Sequence, residues 1–112
     1  ISGISEHHLI EIVGTLVDNA YEACTEERNC VFMELDSEND RLVFQIRNQV
    51  QEMRLENIQK FFQKGYSTKK DADRHGLGLY NAKMLIERYH GDIVVGMEKE
   101  ADKVYICMKV IV

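Results

Sequence analysis

HLIEIVGTLVDNAYEAC, residues 8–24, places apolar side chains at Leu9, Ile12, Val13, Leu16, Val17, Ala20 and Ala23, the spacing of one continuous stripe along an α-helix. Ser5 stands where such a helix needs a cap. Directly afterwards the period falls to two: Val31, Met33 and Leu35 alternate with Phe32 and Glu34, then Leu42, Phe44 and Ile46 alternate with Gln45 and Arg47. Ser37 to Asp40 supply a polar turn between the two runs, so this stretch predicts a β-hairpin.

Helical spacing returns briefly at Leu55, Ile58, Phe61 and Phe62. From Gln63 to Gly78 the chain is polar, charged and punctuated by Gly65, Gly76 and Gly78, which predicts a long functional loop and the moving part of the molecule. Leu79, Ala82, Leu85, Ile86 and Tyr89 form a further helix, ended by His90-Gly91 with the glycine expected in the left-handed position. Ile93 to Met97 and Val104 to Val112 then read as a second hairpin around Glu98 to Asp102. Helix, two strands, short helix, loop, helix and two strands pack best as an α+β, two-layer sandwich with the helices on one face of a mixed four-stranded sheet.

The 112 residues suit a single domain, and 45% hydrophobic with 29% charged residues is the composition of a folded globular chain. A formal charge of −5 provides no basic field for nucleic acid, so any phosphate must be held by local donors. Cys24, Cys30 and Cys107 are odd in number, widely spaced and set in apolar patterns, which predicts buried thiols in a reducing compartment. There is no run of about 18 apolar residues and no leader pattern, so the segment is expected neither to span a membrane nor to be exported. It opens at Ile1 with no flexible lead-in, as expected of a piece excised from a longer protein.

Two groups of residues can do chemistry. At 100° per residue, Thr15 and Asn19 lie one turn apart at the border of the first helix's apolar stripe, with Glu11 and Glu22 further round. An amide oxygen there can ligate Mg²⁺ that is also held by phosphates; the alternative is an Asn that simply bonds a neighbouring backbone. The second group is KGYSTKKDADRHGLGLYNAK, residues 64–83. Gly76 and Gly78 let backbone amides approach an anion, the helix beginning near Leu79 points its positive end at the same place, and Ser67, Thr68, Lys69, Lys70, Arg74 and His75 add donors for a closing lid. The same glycines also serve an ordinary helix-entry turn.

In this order, GTLVDNAYEA (residues 14–23), FFQKGYSTKK (61–70) and RHGLGLYNAKMLIERYHGDI (74–93) resemble the N, F and G2 boxes of histidine-kinase ATPase domains in the GHKL superfamily, whose architecture is the Bergerat fold. The wording LVDNAYEA and GYSTK is most similar to the Agr-type, peptide-pheromone quorum-sensing kinases, with citrate-sensor kinases next. The resemblance implies residues 1–112 to be the ATP-binding catalytic domain of a sensor histidine kinase. Its cofactors would be ATP and Mg²⁺, with Asn19 as metal ligand and Glu11 and Thr15 as catalytic positions of the same box. Related kinases often carry a second Asn where Thr15 stands. Phe62, Gly65, Tyr66, Ser67, Thr68 and Lys69, with Arg74 and His75, fall in the F box and lid; Gly76, Leu77, Gly78 and Leu79 fall in the phosphate-binding box.

One box departs from the pattern. Relatives carry D-x-G-x-G after the second strand, whose Asp accepts the adenine amino group; here the stretch is NQVQEM, residues 48–53. Asn48 can accept the same bond, but a neutral bond contributes about 0.5–1.5 kcal/mol against about 1.5–3 for a charged one, so weak nucleotide binding is expected. The structural alternative for Asn48 is a strand-end cap.

The resemblance further implies transfer of a γ-phosphate to a histidine on a separate dimerisation domain of the parent, then to a response regulator. The parent would be a membrane-anchored bacterial sensor with this domain in the cytoplasm, and the domain itself would contact neither nucleic acid nor membrane. His7, His8 and His90 read as surface or helix-end residues, so the acceptor lies elsewhere. Two alternatives stand beside this reading: a related GHKL ATPase or serine kinase using Glu11 or Glu22, and a nucleotide-binding interaction module without turnover.

Overall fold

The computed structural model describes residues 3–27, 30–50 and 78–112. The short helix expected at 55–62, the lid, and the expected site residues Phe62, Gly65, Tyr66, Ser67, Thr68, Lys69, Arg74, His75, Gly76 and Leu77 lie outside these residues.

Helix α1 runs Glu6–Glu22 and starts as its sequence demands: Ser5 is extended at φ −71°, ψ 151°, and its hydroxyl accepts the backbone N–H of His8 at 3.2 Å. A cap of this kind contributes about 1 kcal/mol. The buried side of α1 is Ile12, Leu16 and Ala20, the centre of the stripe. Helix α2 runs Gly78–Arg88 and buries Leu79, Ala82, Leu85 and Ile86.

Four strands follow in chain order: β1 Val31–Glu38, β2 Arg41–Val50, β3 Asp92–Glu100 and β4 Lys103–Ile111. The sheet order is β1-β2-β4-β3 and all three pairings are antiparallel. This corrects the expected mixed sheet. β2 and β3 do point the same way, but the second hairpin inserts β4 between them, so the co-directional strands never touch. The first hairpin closes on Asn39 (φ 54°) and Asp40 (φ 64°), two residues that tolerate the left-handed backbone of a tight turn.

Register assigns the faces. Phe44, Ile46, Ile106, Met108, Val110 and Val112 form one core with Ile12, Leu16 and Ala20 of α1 and Leu79, Ala82, Leu85 and Ile86 of α2. Tyr105, Cys107 and Lys109 point to the other side, helix-free among the described residues, where they align with Gln49, Arg47 and Gln45 of β2. There Arg47 stacks over Tyr105 and Phe32 at 4.6 and 5.0 Å and pairs with Glu98 at 2.9 Å.

Two further expectations change. At the end of α2 the left-handed residue is His90, at φ 58°, not Gly91. The N–H of Gly91 reaches the carbonyl of Ile86 and that of His90 the carbonyl of Glu87, both at 3.0 Å, which makes His90 the turning residue of the cap. Gly91 is needed for space instead: a Cβ there would lie 2.4 Å from the Ile111 carbonyl oxygen and 2.7 Å from Val112 Cγ1. The three cysteines are unpaired, as expected, but half-buried rather than buried, because Cys107 falls on the helix-free side of β4 and Cys24 lies just past the end of α1. No helix among the described residues is long and apolar enough to cross a membrane.

Candidate functional site

The site expected from the sequence needs α1 and the start of α2 side by side, and they are. A Cβ built on Gly78 would come 3.5 Å from Cγ2 of Thr15, so the first residue of α2 rests against the middle of α1. At the opposite end, Nδ1 of His8 and the hydroxyl of Tyr89 share a hydrogen bond, their rings edge to face at 5.5 Å. The two helices therefore run in opposite directions. His8, Thr15 and Asn19, at i, i+7 and i+11, share the ridge of α1 that meets α2.

This geometry decides where Asn19 stands. With a rise of about 1.5 Å per residue, Asn19 lies one turn, roughly 6 Å, further along α1 than the level of Gly78, beyond the N-terminal end of α2. The first backbone N–H groups of α2 point into the same space, and its first turn carries no acidic residue to offset their positive end. Asn19 is half-buried there. The Thr15 hydroxyl is turned to its own helix and donates to the carbonyl of Glu11 at 2.9 Å, which leaves its lone pairs as acceptors. Glu11 is exposed one turn earlier. Thr15, Asn19 and Gly78 thus stand on neighbouring stretches of α1 and α2, and Leu79 is buried as the hydrophobic anchor of α2's first turn.

Asn48 is on the helix-facing side of β2, cross-strand from Val31 and Ile106, and is 6% exposed. Among the described residues it is the one polar side chain buried with the core. Burying an amide costs free energy unless something bonds to it, and among the described residues no buried side-chain nitrogen or oxygen is left without a hydrogen-bond partner. Among the described residues no three His, Cys, Asp or Glu side chains converge as a metal site, and a cation here would rest on an amide oxygen plus the oxygens of a phosphate ligand. The donor set fits a nucleotide: an amide at the buried end, amide N–H groups and a positive helix end for phosphate, and Asn19 for the metal.

The helix-free face supplied features that sequence reading missed. Burial and the nearby Glu98 carboxylate push the Cys107 thiol up to about 11, against a smaller opposing effect of Arg47. The hydrogen bond from Arg47 to Glu98 raises the guanidinium's pKa. The His8–Tyr89 contact was missed as well, since residues 81 apart give no periodic signal.

The GHKL domain model matches residues 5–111, which takes in every element described above. The chain belongs to the GHKL domain family. Its similar proteins include a probable C4-dicarboxylate sensor kinase from Halalkalibacterium halodurans, 36% identical over 86% of this chain, and the sensor protein CitS of Bacillus subtilis, 33% identical over 88%. The sensor histidine kinase DpiB of Escherichia coli is 32% identical over 83%. The chain spans 18% of the length of each of these relatives. In fold it is similar to the mycobacterial sensor histidine kinase MprB, with a TM-score of 0.76 at 16% identity over 98% of this chain and 76% of that one. The catalytic domain of histidine kinase ThkA gives 0.69 at 21% identity over 93% of this chain and 66% of that one. These structures share the α+β fold of this chain.

Proposed function

We propose that this GHKL domain binds Mg-ATP and presents the γ-phosphate to a histidine on the dimerisation domain of a parent sensor kinase, from which it passes to a response regulator. The observation that carries this reading is the contact of Gly78 with Thr15, which brings the positive end of α2 up to the Asn19 ridge of α1. The bound nucleotide and metal supply the phosphoryl group and neutralise its charge. This chain's residues position it: Asn48 accepts the base's amino group beneath the helices, the first amides of α2 hold phosphate oxygens, and Asn19 ligates the metal. Thr15 and Glu11, one and two turns back along α1 from Asn19, are the catalytic positions of this reading. Transfer then rests on orientation and charge neutralisation rather than on covalent chemistry by the protein.

By the same reading, Phe62, Gly65 to Lys69, Arg74 and His75 close over the phosphates, and the parent is a membrane-anchored sensor with this domain in the cytoplasm. The wording of LVDNAYEA and GYSTK supports a peptide-pheromone signal, while the relative named a probable C4-dicarboxylate sensor kinase supports a small-acid signal. The test is incubation of this chain with γ-labelled ATP and the separately produced dimerisation segment of its parent. Label on a histidine of that segment, lost when Asn19→Ala replaces the parent chain, is the expected result. Label retained with Asn19→Ala, or none with either, contradicts it.

A further inference from the structure

His8 and Tyr89 are far from the nucleotide-facing end of α1, yet they join the same two helices that form it. The backbone N–H of His8 is fixed by the Ser5 cap, and its Nδ1 meets the Tyr89 hydroxyl one residue past the end of α2. A neutral imidazole accepts from that hydroxyl and an imidazolium donates to it, so the contact serves in either charge state. The residues between, Leu79, Ala82, Leu85 and Ile86, are apolar groups buried in the core, whose packing holds α2 in place without directional bonds. A hydrogen bond adds a distance and angle requirement to that packing.

We infer that the His8–Tyr89 bond is a positioning device that fixes the axial register of α2 against α1, and through it the height of the Gly78 amide relative to Asn19. The inference rests on the nucleotide-binding reading for its functional consequence, though not for its structural one. Helix α2 is 11 residues long, about 16 Å, and behaves as a rod, so an axial shift released at Tyr89 arrives undiminished at Gly78. Phosphate-binding amides lose their hydrogen bonds over displacements of about 1 Å. Tyr89 and His8 touch no ligand in this account and act only through α2.

The test uses Tyr89→Phe, which keeps the ring and deletes the hydroxyl, together with His8→Ala and His8→Asn, whose amide oxygen or nitrogen replaces Nδ1. Arg47→Met, on the helix-free face, serves as a control for general destabilisation. Two readings are taken: the backbone amide resonances of Gly78, Leu79 and Tyr80 without nucleotide, and ADP affinity with Mg²⁺. Tyr89→Phe and His8→Ala are expected to move those three resonances and weaken ADP binding about fivefold, with His8→Asn restoring both and Arg47→Met changing neither. Unmoved resonances in Tyr89→Phe, or equal weakening by Arg47→Met, overturn the inference. If the parent chain itself binds no ADP, the nucleotide reading fails and the resonances alone decide the register claim.

Discussion

Thr15 and Gly78, 63 positions apart in sequence, are in contact range: a Cβ on Gly78 would stand 3.5 Å from the Thr15 methyl. That distance is ordinary van der Waals contact, so the fold accepts Gly78→Ala, and the better helix propensity of Ala leaves the melting temperature equal or higher. The added methyl occupies the approach to the first amides of α2. ADP affinity, followed by calorimetry beside the melting curve, is expected to fall while stability does not.

Asn48 tests the buried end of the site. Asn48→Ala removes a neutral acceptor worth about 0.5–1.5 kcal/mol, so ADP binding is expected to weaken roughly 2- to 10-fold, with inosine diphosphate, which lacks the amino group, affected less. Equal losses for both ligands would assign Asn48 to the fold instead.

His90 and Gly91 are neighbours with opposite expectations. His90 holds φ 58°, and His90→Gly removes the left-handed penalty while keeping the carbonyl that accepts from Arg41 at 3.0 Å. It is expected to stabilise by about 1 kcal/mol, a rise of roughly 4–8 °C in Tm. Gly91→Ala forces a Cβ to within 2.4 Å of a backbone oxygen and is expected to cost about 1–3 kcal/mol in the same thermal experiment.

Cys107 predicts a pH dependence. Its thiol is raised from 9.0 to about 11, so the folded protein holds the proton that the unfolded chain loses first. Stability from this group is complete below pH 9 and declines as pH rises from 9 towards 11. At pH 8 the thiolate fraction is about 100-fold lower than in the unfolded chain, and alkylation should be slower in proportion. Glu98→Gln removes the carboxylate that repels the thiolate and is expected to speed the reaction; Arg47→Met removes the favouring cation and should slow it.

The period of the apolar residues made α1, the first hairpin and α2 legible, and in the second hairpin β3 emerged a few residues longer than its apolar run suggested while β4 kept its expected length, shifted by one residue. What escaped is tertiary. Antiparallel pairing throughout depends on β4 entering between β2 and β3, which no local pattern encodes. His90 took the turning position because Gly91 was already committed to the close approach of Ile111, and Cys107 faces the open side because of register. For the candidate site, helical spacing and box order single out Thr15, Asn19, Asn48 and Gly78 from sequence, whereas the His8–Tyr89 link joins helix ends with no shared motif.

The central claim is that the Asn19 ridge and the start of α2 form one Mg-nucleotide site. Calorimetric titration with ADP, with and without Mg²⁺, on this chain and on Asn19→Ala tests it most directly. The account predicts weak, Mg²⁺-dependent binding whose Mg²⁺ dependence disappears in the variant. Binding that is equally strong in the variant, or indifferent to Mg²⁺ in both proteins, would contradict it.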